Sequence, residues 1–376
     1  MSDLKDNKSF VLRAIEDVAF EERPVEEPGP DEALIAVRKT GICGSDVHFL
    51  VHGRIGDFIV ESPMVLGHES SGVVYKGRRS VGSKVKTLKP GDRVALEPGA
   101  SCRVCDACKS GRYELCPEMV FAATPPKDGT LGRYYRLPAD LAYRLPDNLS
   151  LEDGAMMEPL SVGVHAVANI AAFRANQTIA VFGAGPVGLL CMAVAKALGA
   201  KRVIAIDISQ PRLDFAKSYV ATDTYLPGKP SEGESQIAYS KRTAAEMAAA
   251  LGFPERGVGA IDLVVDASGA ATCIQIGVYI VKHGGTFVQV GMGNAEVTIP
   301  VTVLLVKEVN FKGSFRYGPG DYPLAIDLVS QGRIDLKPLV THRFAFEDAG
   351  LAFQTTKKGR SDDGKSVIKA IISGPE

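Results

Sequence analysis

The sequence has no excess of charge of either sign: 43 Lys and Arg stand against 44 Asp and Glu, a formal charge of −1 over 376 residues. No long single-sign run breaks that balance. This removes the electrostatic footprint of a nucleic-acid or anionic-membrane binder and leaves a small-molecule role as the default. Also missing is any uninterrupted apolar stretch of roughly 18 residues, the length a spanning helix needs. The opening MSDLKDNKSF is charged and has no apolar core of a signal peptide, and the closing Gly-Pro-Glu matches no retention or peroxisomal tripeptide and no prenylation box. The expected compartment is the cytosol. No internal repeat of roughly 20 to 50 residues and no low-complexity tract is found. Hydrophobic residues make up 45% of the chain, which excludes disordered and collagen-like architectures. At roughly 150 residues per domain the length implies about two domains.

Cysteine is scarce except in one place. Of seven cysteines, four fall within the fifteen positions from Cys102 to Cys116. In a reducing compartment such crowding reads as metal ligands rather than disulfides. The run Cys102-x2-Cys105-x2-Cys108-x7-Cys116 places four thiolates in one local excursion and suits a closed tetrahedral structural zinc site. An iron–sulfur cluster competes for closely spaced cysteines, but the intervals differ from ferredoxin patterns and the neighbouring Arg, Lys and Asp suit an exposed lobe. With no position open to water, such a metal folds the lobe and does no chemistry. Cys191 and Cys273 lie on apolar helical patterns and read as packing.

The first 150 or so residues carry short apolar runs, such as Ala33 to Val37 and Ser71 to Tyr75, between turn clusters at Glu27 to Pro30 and Lys89 to Asp92. That pattern predicts a β-rich domain. From about Val162 strands and helices alternate: strands over Thr178–Phe182, Arg202–Ile206, Ile261–Asp266 and Thr286–Val290, helices over Leu189–Leu198 and Thr243–Leu251, and a loop over Gly228–Ser235. Regular βαβ units imply a parallel sheet. The alternation fades after about Val301, and from Leu336 the chain reads as short strands and turns that return to the first domain.

Gly183-Ala184-Gly185-Pro186-Val187-Gly188 follows an apolar strand and opens an apolar helix, and a second strand ends at Asp207, nineteen residues beyond Gly188. This is GxGxxG in its full context. Gly183 permits the tight turn, Gly185 lets the backbone approach a pyrophosphate, and Gly188 allows close packing of the helix. The helix N-terminus then receives the phosphates. Asp207 accepts hydrogen bonds from the adenosine ribose hydroxyls and repels a 2′-phosphate, which favours NAD over NADP. Arg212 either flanks the adenine or is an exposed helix arginine.

Two further segments join metal-ligand residue types to glycine-rich turns: Thr40-Gly41-Ile42-Cys43-Gly44-Ser45-Asp46-Val47-His48 and Val65-Leu66-Gly67-His68-Glu69. Beside a nicotinamide fold they gain meaning, because oxidising an alcohol requires something that makes its hydroxyl acidic, and zinc does so as a Lewis acid. His48 and His52 follow the cysteine and are candidates for relaying a proton to solvent. Glu97 is either support for the metal site or a strand-end carboxylate. His165, His283 and His342 read as structural.

Taken with the four-cysteine lobe, Met157-Glu158-Pro159-Leu160-Ser161 and the glycine motif, these segments resemble the zinc-containing medium-chain dehydrogenases, in particular their polyol (sorbitol/xylitol) branch. The resemblance covers essentially the whole chain. Within that branch Phe121 to Pro126, Arg212 to Lys217 and Gly313 to Gly318 resemble the fungal xylitol dehydrogenases. The resemblance implies an α/β protein in which a Rossmann doubly wound parallel-sheet domain, 162–300, is inserted in a β-rich GroES-like catalytic domain. That catalytic domain comprises 1–161 plus 301–376, with a structural zinc lobe at about 98–118 and the active site in the cleft.

It further implies that Cys43, His68 and Glu69 hold a catalytic zinc with a water, Glu158 being a water-mediated or alternating ligand where ordinary alcohol dehydrogenases have a second cysteine. Ser45 would relay the substrate proton. Phe49, Arg316 and Tyr317 would contact the polyol, Phe49 standing where sorbitol dehydrogenases often carry Tyr. Gly183, Gly185, Val187, Gly188, Asp207, Arg212, Val290, Gly291, Met292, Ser314, Phe315 and Arg316 would contact NAD. The implied reaction is reversible hydride transfer from a polyol such as xylitol, giving D-xylulose, with D-sorbitol and L-arabinitol ranked behind. The implied assembly is a cytosolic homotetramer. The competing class, a nucleotide-binding protein without chemistry or a zinc-ribbon adaptor, fits less well with Cys43, Ser45, His68, Glu69 and Glu158 occurring together.

Overall fold

A computed structural model describes residues 6–77 and 80–375. Residues 1–5, part of the segment compared with a signal peptide, and Glu376 of the terminal tripeptide lie outside the described residues. Two compact units emerge. One joins the chain up to Glu158 with everything from Gly318 onward, and the other is Pro159–Tyr317. Among the described residues no helix is long and apolar enough to cross a membrane.

The first unit is built on the strand Glu32–Gly41, whose Ala33–Val37 run is buried on both faces. Such a strand needs neighbours along most of its length. It pairs antiparallel with Tyr134–Pro138 and Glu69–Val74 and, through its last residues, with the C-terminal strand Lys369–Ser373. Val340–Phe344 then adds parallel to that C-terminal strand. The expected return of the tail is therefore a pairing of sheet strands. The closing stretch is not all strands and turns, however: Ala349–Lys358 is a helix that packs Ala349, Ala352 and Phe353 with Phe10, Phe49, Leu50 and Leu66 in one apolar cluster. The short helix Gly44–His52 leaves the central strand immediately after Cys43.

The second unit is a six-stranded parallel sheet in the spatial order Asp223–Tyr225, Arg202–Ile206, Thr178–Phe182, Ile261–Asp266, Val281–Gln289, Asn310–Gly313. In chain order this is 3-2-1-4-5-6, the doubly wound arrangement of dinucleotide-binding sheets. Buried Phe182, Ile204, Val264, Ile276 and Phe287 form its apolar layer, as two-faced burial demands of parallel strands. The strands expected at Thr178–Phe182, Arg202–Ile206 and Ile261–Asp266 have those bounds. Val281–Gln289 starts earlier than its apolar run, and the helix Gln236–Leu251 begins earlier than Thr243, its N-cap Ser235 accepting from Ala238 N.

The domain limit at 300/301 does not hold. Alternation continues through a helix, Val301–Lys307, and the strand Asn310–Gly313, which completes the parallel sheet and carries the second unit to Tyr317. The pattern was invisible because this edge strand is exposed along its whole length and shows no apolar periodicity.

Candidate metal centres and dinucleotide site

Cys43 ends the central strand's excursion and is the N-cap of the helix Gly44–His52. Glu69 opens its own strand directly after His68, and the register Gly41↔Glu69 brings the two segments side by side. The ligand atoms of Cys43, His68 and Glu69 all lie within 4.8 Å of one another. Thiolate, imidazole and carboxylate are a donor set that suits zinc. Glu158, buried at 6% exposure on the helix Met157–Val164, is not among these converged donors, but its charge reaches Lys369 beside them.

Two residues that sequence reasoning did not single out organise the site. Asp46, fully buried, accepts from Cys43 N at 3.1 Å and from Gly67 N at 3.1 Å, and its Oδ1 lies 3.3 Å from His68 Nδ1. The carboxylate thereby holds the Nδ1–H and leaves Nε2 as the ligand nitrogen. Burial opposes a charged imidazole, yet Asp46 more than offsets this and holds His68 well above its ordinary range. An acid three residues after Cys43 was the available signal.

Lys369 begins the C-terminal strand and is 3% exposed. Its Nζ donates to both oxygens of Glu69 at 2.6 Å and to Ile42 O at 3.1 Å. No local pattern announces this partner, which comes from the far end of the chain. Ser45 occupies the second position of the Cys43-capped helix, and His48 and His52 are exposed on it, their rings 5.3 Å apart. Phe49, expected to face a substrate, is 4% exposed and belongs to the apolar cluster of the first unit.

The other four cysteines converge as well. Cys102, Cys105, Cys108 and Cys116 have sulfur atoms all within 4.8 Å of one another and form no disulfide. Backbone N–H groups of Cys105 and Cys102 point at the sulfurs of Cys102 and Cys116, at 3.3 and 3.4 Å. Four soft donors with N–H support match a closed structural zinc site.

Glu97 tethers this lobe to its unit. At 1% exposure it accepts from Tyr113 Oη of the lobe at 2.6 Å and from Tyr143 Oη at 2.8 Å. Tyr143 stacks on Tyr322, with centroids 5.0 Å apart, and Tyr322 donates to Leu96 O at 2.8 Å. Burial pushes the Glu97 carboxyl up to about 7 against the pull of both tyrosines.

In the second unit the expected cofactor residues cluster at the carboxyl ends of parallel strands. Gly183 has φ +90°, a Cβ on Gly188 would meet Gly183 O at 1.8 Å, and Gly185 has open space where its Cβ would stand. Gly185 caps the helix Pro186–Ala197 without any side-chain acceptor, so its N–H groups remain available. Asp207 accepts from Ala184 N at 2.8 Å and Ser209 N at 2.9 Å, while Arg212 lies 3.9 Å from it. Val187 is half-buried, and Met292 and Phe315 are exposed. Val290 to Met292 follow the fifth strand of the sheet, and Ser314 to Arg316 follow the sixth. Arg316 adopts φ +55°, a conformation unusual for a side-chain-bearing residue, and its guanidinium lies 4.7 Å from the Phe315 ring centroid. Tyr317 is buried at 2% exposure.

Two outcomes are expected. His68→Ala should fold and lose roughly one of about two zinc ions per subunit, whereas Cys105→Ser should lose the other ion together with thermal stability. Metal analysis with thermal unfolding distinguishes them, and equal metal loss in both variants would contradict two separate sites. Because the folded state holds the Glu97 proton more tightly than the unfolded chain, the stability it confers is full below about 4.5 and lost as pH rises through about 7. Glu97→Gln should therefore flatten the decline of Tm between roughly pH 5 and 8. An unchanged decline would exclude Glu97 as its source.

The alcohol dehydrogenase GroES-like domain family matches residues 29–147, and the zinc-binding dehydrogenase family matches 186–331. A probable D-xylulose reductase A of Neosartorya fischeri is 52% identical over 369 residues, covering 98% of this chain and 97% of its own. An Escherichia coli oxidoreductase/dehydrogenase of unknown specificity superposes with TM-score 0.84 at 32% identity, covering 99% and 100% of the two chains. A second Escherichia coli structure, an alcohol dehydrogenase complexed with NADH, superposes with TM-score 0.83 at 25% identity, covering 98% and 99%. The chain belongs to the zinc-binding dehydrogenases with an alcohol dehydrogenase GroES-like domain.

Proposed function

We propose that this protein is a zinc- and NAD-dependent polyol dehydrogenase that interconverts xylitol and D-xylulose. The observation that carries the reading is 52% identity over nearly the full length to a probable D-xylulose reductase, together with an intact Cys43, His68 and Glu69 donor set. Zinc at those residues supplies Lewis acidity that makes a bound hydroxyl easier to ionise, and NAD supplies the hydride acceptor. In balance, the polyol loses the hydroxyl proton and a hydride from the same carbon, and a ketone results.

The chain's own residues do the rest. Asp46 orients His68, and Lys369 holds the Glu69 carboxylate in register. Ser45 relays the hydroxyl proton, giving up its own as it takes the substrate's, and exposed His48, one turn further along the same helix, takes the released proton and passes it to solvent. Glu158 would be a further ligand of the zinc, water-mediated or alternating. Arg316 and Tyr317 donate to the remaining hydroxyls of a linear polyol, which favours it over ethanol. Val187, Val290, Gly291, Met292, Ser314 and Phe315 line the cofactor with the Gly183–Gly188 turn. Asp207 takes the ribose hydroxyls, and Arg212 flanks the adenine.

The working assembly is a cytosolic homo-oligomer, a tetramer by resemblance. Support for association comes from the edge strand Asn310–Gly313 and its neighbour helix, where Val301, Leu305, Val306 and Phe311 are exposed.

Two measurements test the reading. Initial rates at saturating NAD should rank xylitol first, D-sorbitol second and L-arabinitol third, and superiority of L-arabinitol or of a simple primary alcohol would overturn the substrate. Preference for NAD over NADP in kcat/KM should be on the order of 100-fold or more, because a carboxylate faces the 2′-phosphate. Asp207→Ala with Ile208→Arg should erase or invert it. Equal use of both cofactors by the unaltered enzyme would refute the role given to Asp207.

A further inference from the structure

Asp266 ends the strand Ile261–Asp266 at the centre of the parallel sheet and is completely buried. Its side chain meets donors only. Oδ1 accepts from Ser268 N at 3.2 Å and Ser268 Oγ at 2.6 Å, and Oδ2 accepts from Gly269 N at 2.8 Å and Gln289 Nε2 at 2.6 Å. Its carbonyl takes two more N–H groups, from Val290 at 2.9 Å and Gly291 at 2.8 Å. A carboxylate is the one side chain of this size with acceptors on both oxygens and no hydrogen to clash with such a ring.

Gln289 completes the arrangement. Its Nε2 donates to Asp266 and, at 2.7 Å, to Gly291 O. Both partners are acceptors, so the orientation of the amide is settled by chemistry. The two loops joined in this way, 267–270 and 290–293, touch backbone to backbone. A Cβ on Gly291 would meet Gly269 N at 2.5 Å, and one on Gly293 would meet Gly269 O at 1.9 Å. Gly269 itself has φ +72°. The closest approaches are between backbone atoms at Gly269, Gly291 and Gly293, and the polar clasp of Asp266 and Gln289 spans the same two loops. The first loop is also bound to the strand before the glycine turn, through Ala267 N to Phe182 O at 2.8 Å.

We infer that Asp266 is a positioning residue for the nicotinamide end of NAD, acting through Gln289 and the Ser268–Gly269 turn on the segment Val290–Met292. The inference rests on the cofactor reading above. The sheet order supports the assignment: strands 1 to 3 form one mononucleotide-binding half, whose Gly183–Gly188 turn and Asp207 receive adenosine and pyrophosphate, and the clasped loops follow strands 4 and 5 of the other half, which leaves them the nicotinamide riboside. Asp266→Asn keeps the shape but turns an N–H2 toward an existing donor, so the clasp opens with little change in volume.

The test compares two ligands on the intact protein by calorimetry. NADH carries the nicotinamide, and ADP-ribose carries everything else. Asp266→Asn should weaken NADH by about tenfold and leave ADP-ribose within about twofold, the loss expected for one mismatched buried hydrogen bond. Gln289→Met, which leaves the Asp266 turn intact, should shift the same ratio in the same direction by a smaller factor, so a poorly folding Asp266 variant does not block the experiment. Equal weakening of both ligands, or an unchanged NADH affinity in both variants, would overturn the positioning role. If the unaltered protein binds neither NADH nor ADP-ribose, the cofactor reading falls and the inference with it.

Discussion

Glu69 and Lys369 stand 300 residues apart in the chain and share one buried ion pair. Two charges withdrawn from water are costly unless every lone pair and proton is engaged, and removing one partner of such a pair typically costs about 3 to 5 kcal/mol. Here Nζ reaches both carboxylate oxygens and the Ile42 carbonyl. Gly41 makes the approach feasible, because a Cβ there would stand 2.2 Å from Glu69 Oε2. The pair joins the strand that follows His68 to the last strand of the protein. The first unit is thereby closed from two separate stretches of chain, and its metal donors depend on a residue that arrives only when the C-terminal strand is in place.

A second device recurs in both units. A buried aspartate near the end of an element accepts backbone N–H groups and fixes the turn beside it: Asp46 takes Cys43 N and Gly67 N, Asp207 takes Ala184 N and Ser209 N, and Asp266 takes Ser268 N and Gly269 N. Charge-assisted bonds of this kind are stronger than neutral ones and strict about direction. They let glycine-rich segments, which are entropically expensive to order, hold one conformation. Turns near the metal donors and at the cofactor end of the sheet are therefore shaped by carboxylates that need touch neither metal nor substrate.

Legibility in the sequence followed burial. Strands buried on both faces, such as Thr178–Phe182 and Ile261–Asp266, appear as unbroken apolar runs and their bounds could be read directly. Asn310–Gly313 could not, since an exposed edge strand carries no such run. The helix Ala349–Lys358 was hidden because its buried positions are mostly small, Ala349, Ala352 and Thr355, with Phe353 alone of high hydrophobicity. Phe49 shows the opposite failing: the resemblance to polyol dehydrogenases implied a substrate contact, while its side chain packs in a core cluster.

Spacing alone determined the four-cysteine lobe, because all its donors lie in one short excursion and convergence needs no other part of the chain. The glycine turn with Asp207 was likewise local, since a strand, a tight turn and a helix N-terminus form a self-contained unit. Tertiary structure decided what joins distant segments. It brought Cys43 to His68 and Glu69 through strand register, recruited Lys369 from the far end, turned Glu97 into a tether between lobe and sheet, and clasped Asp266 to Gln289. Each of these partnerships engages a buried polar group whose partner's position is set by sheet pairing and packing, and no periodicity along the chain records it.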